Sequence, residues 1–116
     1  MSEFLNKAIT AHSAWKGRLR TAIDGGAVPD PATVRVDNVC DLGKWIHGEG
    51  KAHQSLPEFQ ALKEQHAQFH QAAGHVIDLV KKGDKAGAEN ELMRGQFNTA
   101  SGKVIAAIGA LKAKGV

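Results

Sequence analysis

Apolar side chains recur along this chain at three- and four-residue steps, the period of a helix with one buried face. Over residues 3–24 the stripe is Leu5, Ala8, Ile9, His12, Trp15, Leu19 and Ile23, with Lys7, Lys16, Arg18 and Arg20 on the other faces and Gly25-Gly26 as a stop. Residues 27–37 hold two prolines two apart and a Val-Arg-Val alternation, which predicts a loop with at most a short extended patch. A short helix is predicted from Val39 to about Ile46, capped by Asp37 or Asn38 and ended by Gly48 and Gly50; residues 49–55 read as a connector with room for a helical turn. The third helix starts at Ser55 with Glu58 as a capping box and Pro57 in the first turn. It carries Phe59, Leu62, His66, Phe69, Ala73, Val76 or Ile77, and Val80 on one stripe, and ends at Lys81-Lys82-Gly83. Asp84 is placed to cap a fourth helix reaching about Lys112, with Leu92 or Met93, Phe97, Ala100, Val104, Ile108 and Leu111 facing inward. The short Gly83-Asp84 junction makes the last two helices antiparallel neighbours.

The expected fold is therefore all-α: a four-helix bundle with three long helices and one short Cys-bearing helix, in a single domain over residues 1–116. Gly74, Gly95, Gly102 and Gly109 fall inside helical patterns, where each costs about 1 kcal/mol against Ala. Close helix contact is one reason to accept that cost.

Composition narrows the function. With 42% apolar residues and no apolar run of membrane-spanning length, the chain is neither disordered nor a membrane protein. The start at Met1 lacks a basic region followed by a long apolar stretch, so no secretory leader is expected and the cytoplasm is the expected compartment. The net charge of +3 comes from scattered residues, which argues against nucleic acid as a partner. One Cys forms no internal disulfide, and six His stand beside it.

Placed on the predicted helices, some of these residues converge. His66 and His70 are four apart and project from one side of the third helix. His12 lies on the inward stripe of the first, and Cys40 sits in the first turn of the short helix, where the helix N-terminus favours a thiolate. Three imidazoles and one thiol suit tetrahedral Zn²⁺. Each residue also has a plainer reading: a buried His on an apolar stripe, a chance i,i+4 pair, a free Cys acting as a small hydrophobe. His47 and His53 flank a glycine-rich connector and are expected to be solvated; His75 points away from the pair. Asp37 and Asp41 are near enough in sequence to accept from a ligand imidazole, or to be capping or solvated carboxylates.

Taken in order, His12-Ser13-Ala14-Trp15-Lys16 with Leu19, then Cys40-Asp41-Leu42-Gly43-Lys44-Trp45, then Phe59, Leu62, His66, Phe69 and His70 make the chain resemble the chemoreceptor zinc-binding (CZB) domain of bacterial chemoreceptors and diguanylate cyclases. Ala88, Ser101 and Val104 are similar to weaker marks of that family's closing helix. The resemblance implies a Zn²⁺ cofactor held by His12, Cys40, His66 and His70, and gives Trp15 and Trp45 the role of holding the short helix on the bundle. It also implies a homodimer and a signalling protein of the chemoreceptor or cyclase type as partner. Gly43 is expected to let the short helix approach a neighbour closely. A chain running from Met1 to Val116 has no room for an output domain, so a stand-alone member or an excised fragment is expected. The function expected is a zinc-binding sensor or regulatory module whose thiolate responds to oxidants or to zinc availability. The alternative is a purely structural zinc site. An enzyme is not expected, because four protein ligands fill the sphere that a catalytic zinc keeps partly open.

Overall fold

A computed structural model of the protein describes residues 2–38 and 40–116. Its helices are α1 (Ser2–Ile23), α2 (Pro31–Arg35), α3 (Asp41–His47), α4 (Pro57–Lys81), α5 (Lys85–Arg94) and α6 (Gln96–Ala113), with a 3-10 turn at Glu49–His53 between α3 and α4. No strand occurs among the described residues. The all-α bundle read from the sequence is the architecture observed: three long helical spans, α1, α4 and α5–α6, with the short α3 laid against them.

Chain direction follows from the ties between elements. Lys114, just past α6, pairs with Glu58 at the start of α4 at 3.8 Å, so these two spans run antiparallel. Lys112 reaches Asn6 at the start of α1, and Arg20 near the end of α1 reaches Glu89 of α5 at 3.3 Å, so α1 is antiparallel to α5–α6 as well. The apolar stripes meet between these spans. Leu5, Leu19, Phe59, Leu62, Phe69, Val76, Ile77, Leu92, Phe97, Val104, Ile108 and Leu111 are all essentially inaccessible, whereas Met93 is exposed, so Leu92 is the inward residue of its pair. Among the described residues no helix is long and apolar enough to cross a membrane.

Three local expectations are corrected. Residues 27–37 are not simply loop: Asp30 caps α2 by accepting from the Ala32 N–H at 3.1 Å, and Pro31 takes the first helical position, where its missing N–H costs nothing. The span after Asp84 is not one helix, because Gly95 ends α5 and begins α6. Asp84 does cap it, accepting from the Gly87 N–H at 2.8 Å. The Ser55–Glu58 capping box does not form. Leu56 takes the cap position without a side-chain bond, and Glu58 turns to Lys114.

The in-helix glycines divide by environment. A Cβ on Gly74 would lie 3.1–3.4 Å from the Arg35 side chain, which crosses α4 there on its way to Asp78. Gly95 is the break just described. Gly102 and Gly109 face open space, so no contact among the described residues accounts for them.

Candidate metal centre

Three elements bring four donors together. His12 comes from the middle of α1, and His66 and His70 from adjacent turns of α4. Cys40 precedes α3 and is its N-cap, its Sγ accepting from the Gly43 N–H at 3.4 Å. The short helix was expected to begin at Val39, which lies outside the described residues. It begins at Asp41, and its cap is Cys40 rather than Asp37 or Asn38. The three imidazoles are buried, and Cys40 is half-buried.

All four donor atoms lie within 4.8 Å of one another. Cys40 Sγ stands 3.2 Å from His66 Nε2, 3.6 Å from His70 Nε2 and 3.9 Å from His12 Nε2; the two Nε2 atoms of His66 and His70 are 3.1 Å apart. A tetrahedral Zn²⁺ with Zn–N of about 2.0–2.1 Å and Zn–S of about 2.3 Å requires edges of about 3.3 Å between nitrogens and about 3.6 Å between sulfur and nitrogen. These four edges scatter around those lengths and the other two stay within 4.8 Å, so the donors fit zinc in kind and number and come close to it in spacing.

Ring orientation has identifiable causes. His12 Nδ1–H donates to the Ala8 carbonyl one turn back at 2.7 Å, which leaves Nε2 as the free lone pair. His70 Nδ1–H donates at 2.9 Å to the carbonyl of Val34, one of those a helix end leaves without an intrahelical partner. Backbone carbonyls thus fill the role considered for Asp37 and Asp41. Asp41 is exposed, and Asp37 sits 3.3 Å from His47. The Nδ1 atom of His66 is buried, with no partner among the described residues. Phe69 closes the apolar side, its ring edge-on to His12 at 5.2 Å and to His70 at 5.4 Å.

Trp45 pins α3 as expected, contacting Phe4 of α1 at 5.9 Å and Phe59 of α4 at 5.8 Å between ring centroids, with His53 stacked on it. The Trp15 ring stands 6.4 Å from His70, on the α2 side of the centre. At Gly43 α3 comes close to the 37–38 segment as expected, since a Cβ there would lie 1.8 Å from the Asp37 carbonyl oxygen. Val34 is the functional residue that the sequence pattern missed; the Asp30-Pro31 start signal was the cue to its helix.

Burial holds all three imidazoles neutral, the form that ligates a metal. It lowers the pKa of His12 and His70 against the opposing pull of their carbonyl partners. It lowers that of His66, with the neighbouring imidazoles adding to the effect, to about 2. Burial also raises the Cys40 thiol, outweighing the Gly43 and Leu42 N–H groups that favour the thiolate. The helix N-terminus acts in the expected direction but does not win without a cation. One consequence is testable. An unfolded chain takes up protons on these histidines near the ordinary value of 6.5, while the folded one resists, so their contribution to stability is complete above that pH and is lost as pH falls through it. Chelator-treated protein is expected to show a urea midpoint that is lower at pH 5 than at pH 7.5.

The model of the chemoreceptor zinc-binding domain family matches residues 12–77, more than half of the chain and a span that contains all four donors. Neither the curated proteins nor the solved structures yield a match. Family and donor set agree on the cofactor, which is Zn²⁺.

Proposed function

The chain belongs to the chemoreceptor zinc-binding domain family, and from that premise we propose that this zinc-binding module is a cytoplasmic sensor or regulatory domain whose Cys40 thiolate responds to oxidants or to zinc availability. The observation that carries this reading is the double use of one atom. Cys40 Sγ is both a donor of the metal centre and the N-cap of α3. Bound zinc supplies a cation that keeps the buried sulfur as thiolate and ties it to α1 and α4. Chemistry at that sulfur therefore acts on the position of α3.

A two-electron oxidant of the peroxide class meets a half-buried sulfur rather than a buried one. The thiolate attacks one peroxide oxygen, the O–O bond breaks, and hydroxide leaves. Cys40 becomes a sulfenic acid, a poorer donor to zinc. Released from the centre, α3 is free to shift, and the surface offered to a signalling partner or a second copy changes with it. The readout is zinc content by mass spectrometry before and after hydrogen peroxide, with Cys40→Ala as control. Loss of zinc in step with Cys40 oxidation is expected; full oxidation with zinc content and fold unchanged would refute the switch.

A second reading has its own support, since the four donors join α1, α3 and α4 and a metal there staples them. The apolar core, however, runs on through Phe97, Val104, Ile108 and Leu111 of α6, which supplies no donor. Metal-free protein is therefore expected to keep most of its helical circular dichroism, as a signal site requires; an unfolded metal-free chain would favour the staple. Catalysis is not part of the proposal, because four protein donors leave no open coordination position.

A further inference from the structure

Between α1 and the segment that carries α2 lies a groove that zinc binding does not use. One cavity of about 360 Å³ is bordered by Trp15, Arg18, Pro29, Val34 and Val36 and reaches the ring of His70. A second, of about 310 Å³, continues it past Arg18 and Pro29 to Val28 and Thr21. Of the three large apolar side chains that are exposed among the described residues, two, Val28 at 41% and Val36 at 42%, flank this groove. Arg18 stands over its middle with the guanidinium 3.8 Å above the Trp15 ring, and no acidic partner is found for it among the described residues. The acid in the lining, Asp30, is already engaged, its oxygens accepting from the Ala32 N–H and the Thr33 hydroxyl.

A concave, mostly apolar site with one convergent cation calls for a ligand with an apolar body and one negative group. We propose that this groove binds a small carboxylate with an aliphatic chain. Its carboxylate meets Arg18, its chain lies along Pro29, Val34 and Val36, and its occupancy is coupled to the metal centre through the Val34 carbonyl that orients His70. The coupling rests on the zinc reading; the binding does not. A ligand pressed against Val34 shifts the carbonyl that fixes the His70 ring, so zinc and carboxylate alter each other's affinity by one shared factor.

The test uses zinc-loaded protein titrated with hexanoate, followed by ¹H–¹⁵N spectra and Trp fluorescence. Saturable shifts are expected at Trp15, Arg18, Val34 and Val36 and not at Met93 on α5. Arg18→Gln is expected to weaken binding by about tenfold or more, the scale of one charge-assisted hydrogen bond, with zinc content unchanged. Hexanol should bind as weakly to the native protein as hexanoate does to that variant, and hexylamine should not bind. Absence of saturable shifts in folded protein, equal binding of hexanol or hexylamine, or indifference to Arg18→Gln would overturn the site. Hexanoate binding that leaves zinc affinity unaltered in a chelator competition would overturn the coupling. Zinc content is measured independently on the same samples, so failure of the centre and failure of the groove are told apart.

Discussion

Replacing Cys40 with Ala is expected to weaken zinc binding by about 100-fold or more, beyond the range of about 10- to 100-fold for losing a partner that only orients a ligand. The variant loses one of four donors and the only anionic one, leaving three neutral imidazoles to hold a dication. It also loses the acceptor for the Gly43 N–H, so α3 should be destabilised by about 0.5–1 kcal/mol even without metal. Cys40→Ser separates the two effects. Its hydroxyl caps a helix well but is a poor ligand for zinc, so it should keep the metal-free stability of the native protein and still fail to retain zinc. Competition with a chromophoric chelator, beside thermal melts of the metal-free forms, gives both numbers. Zinc retained by Cys40→Ala at native affinity would mean that sulfur is not a donor.

Gly43→Ala is expected to cost about 3 kcal/mol, the upper end of ordinary overpacking, and to release zinc with it. The added Cβ would fall 1.8 Å from the Asp37 carbonyl oxygen, 2.8 Å from its carbon and 3.1 Å from Asn38 Cα. These are backbone atoms, so no side-chain rotation relieves the clash, and α3 must move away from the 37–38 segment. Cys40 leads directly into α3, and its sulfur moves too. Gly102→Ala and Gly109→Ala are the controls. Both positions lie inside α6 and face open space, so each should gain up to about 1 kcal/mol in helix propensity without touching zinc. Thermal denaturation with and without zinc should place Gly43→Ala below the native protein and the two controls at or above it.

Helices α1 and α4 were legible because their stripes are unbroken. In α4 the residues from Phe59 to Ile77 recur at helical steps, and each is buried as read. The break at Gly95 had a cue: from Leu92 to Phe97 the stripe jumps five residues, a slip in phase that one straight helix does not tolerate. Helix α2 is too short to show a period, and Val-Arg-Val looks extended when Asp30-Pro31 is overlooked. The capping box failed for a different reason. Ser55 and Glu58 have the right spacing, but Pro57 takes the first helical position and Leu56 the cap, so Ser55 falls one residue outside the helix and Glu58 one position short of the box. The four donors were readable as residue types on predictable faces, and the structure brings those same four together. The carbonyl of Val34 was not readable, since a backbone atom carries no mark in the sequence. Nor was the state of the thiol, which depends on the depth of burial as much as on the helix end beside it.

The unpartnered Nδ1 of His66 has a consequence for how metal is taken up. His12 and His70 spend their single ring protons on carbonyls, so their inward nitrogens arrive bare. His66 has no such anchor. In metal-free protein its proton belongs on Nε2, where His70 Nε2 at 3.1 Å accepts it, with the protonated thiol of Cys40 beside them. Zinc held by these four residues would need that inward face cleared, the His66 proton moving to the outer nitrogen and the thiol proton leaving for solvent. Binding near neutral pH would then release one proton, and the buffer's heat of ionisation is expected to appear once in the binding enthalpy.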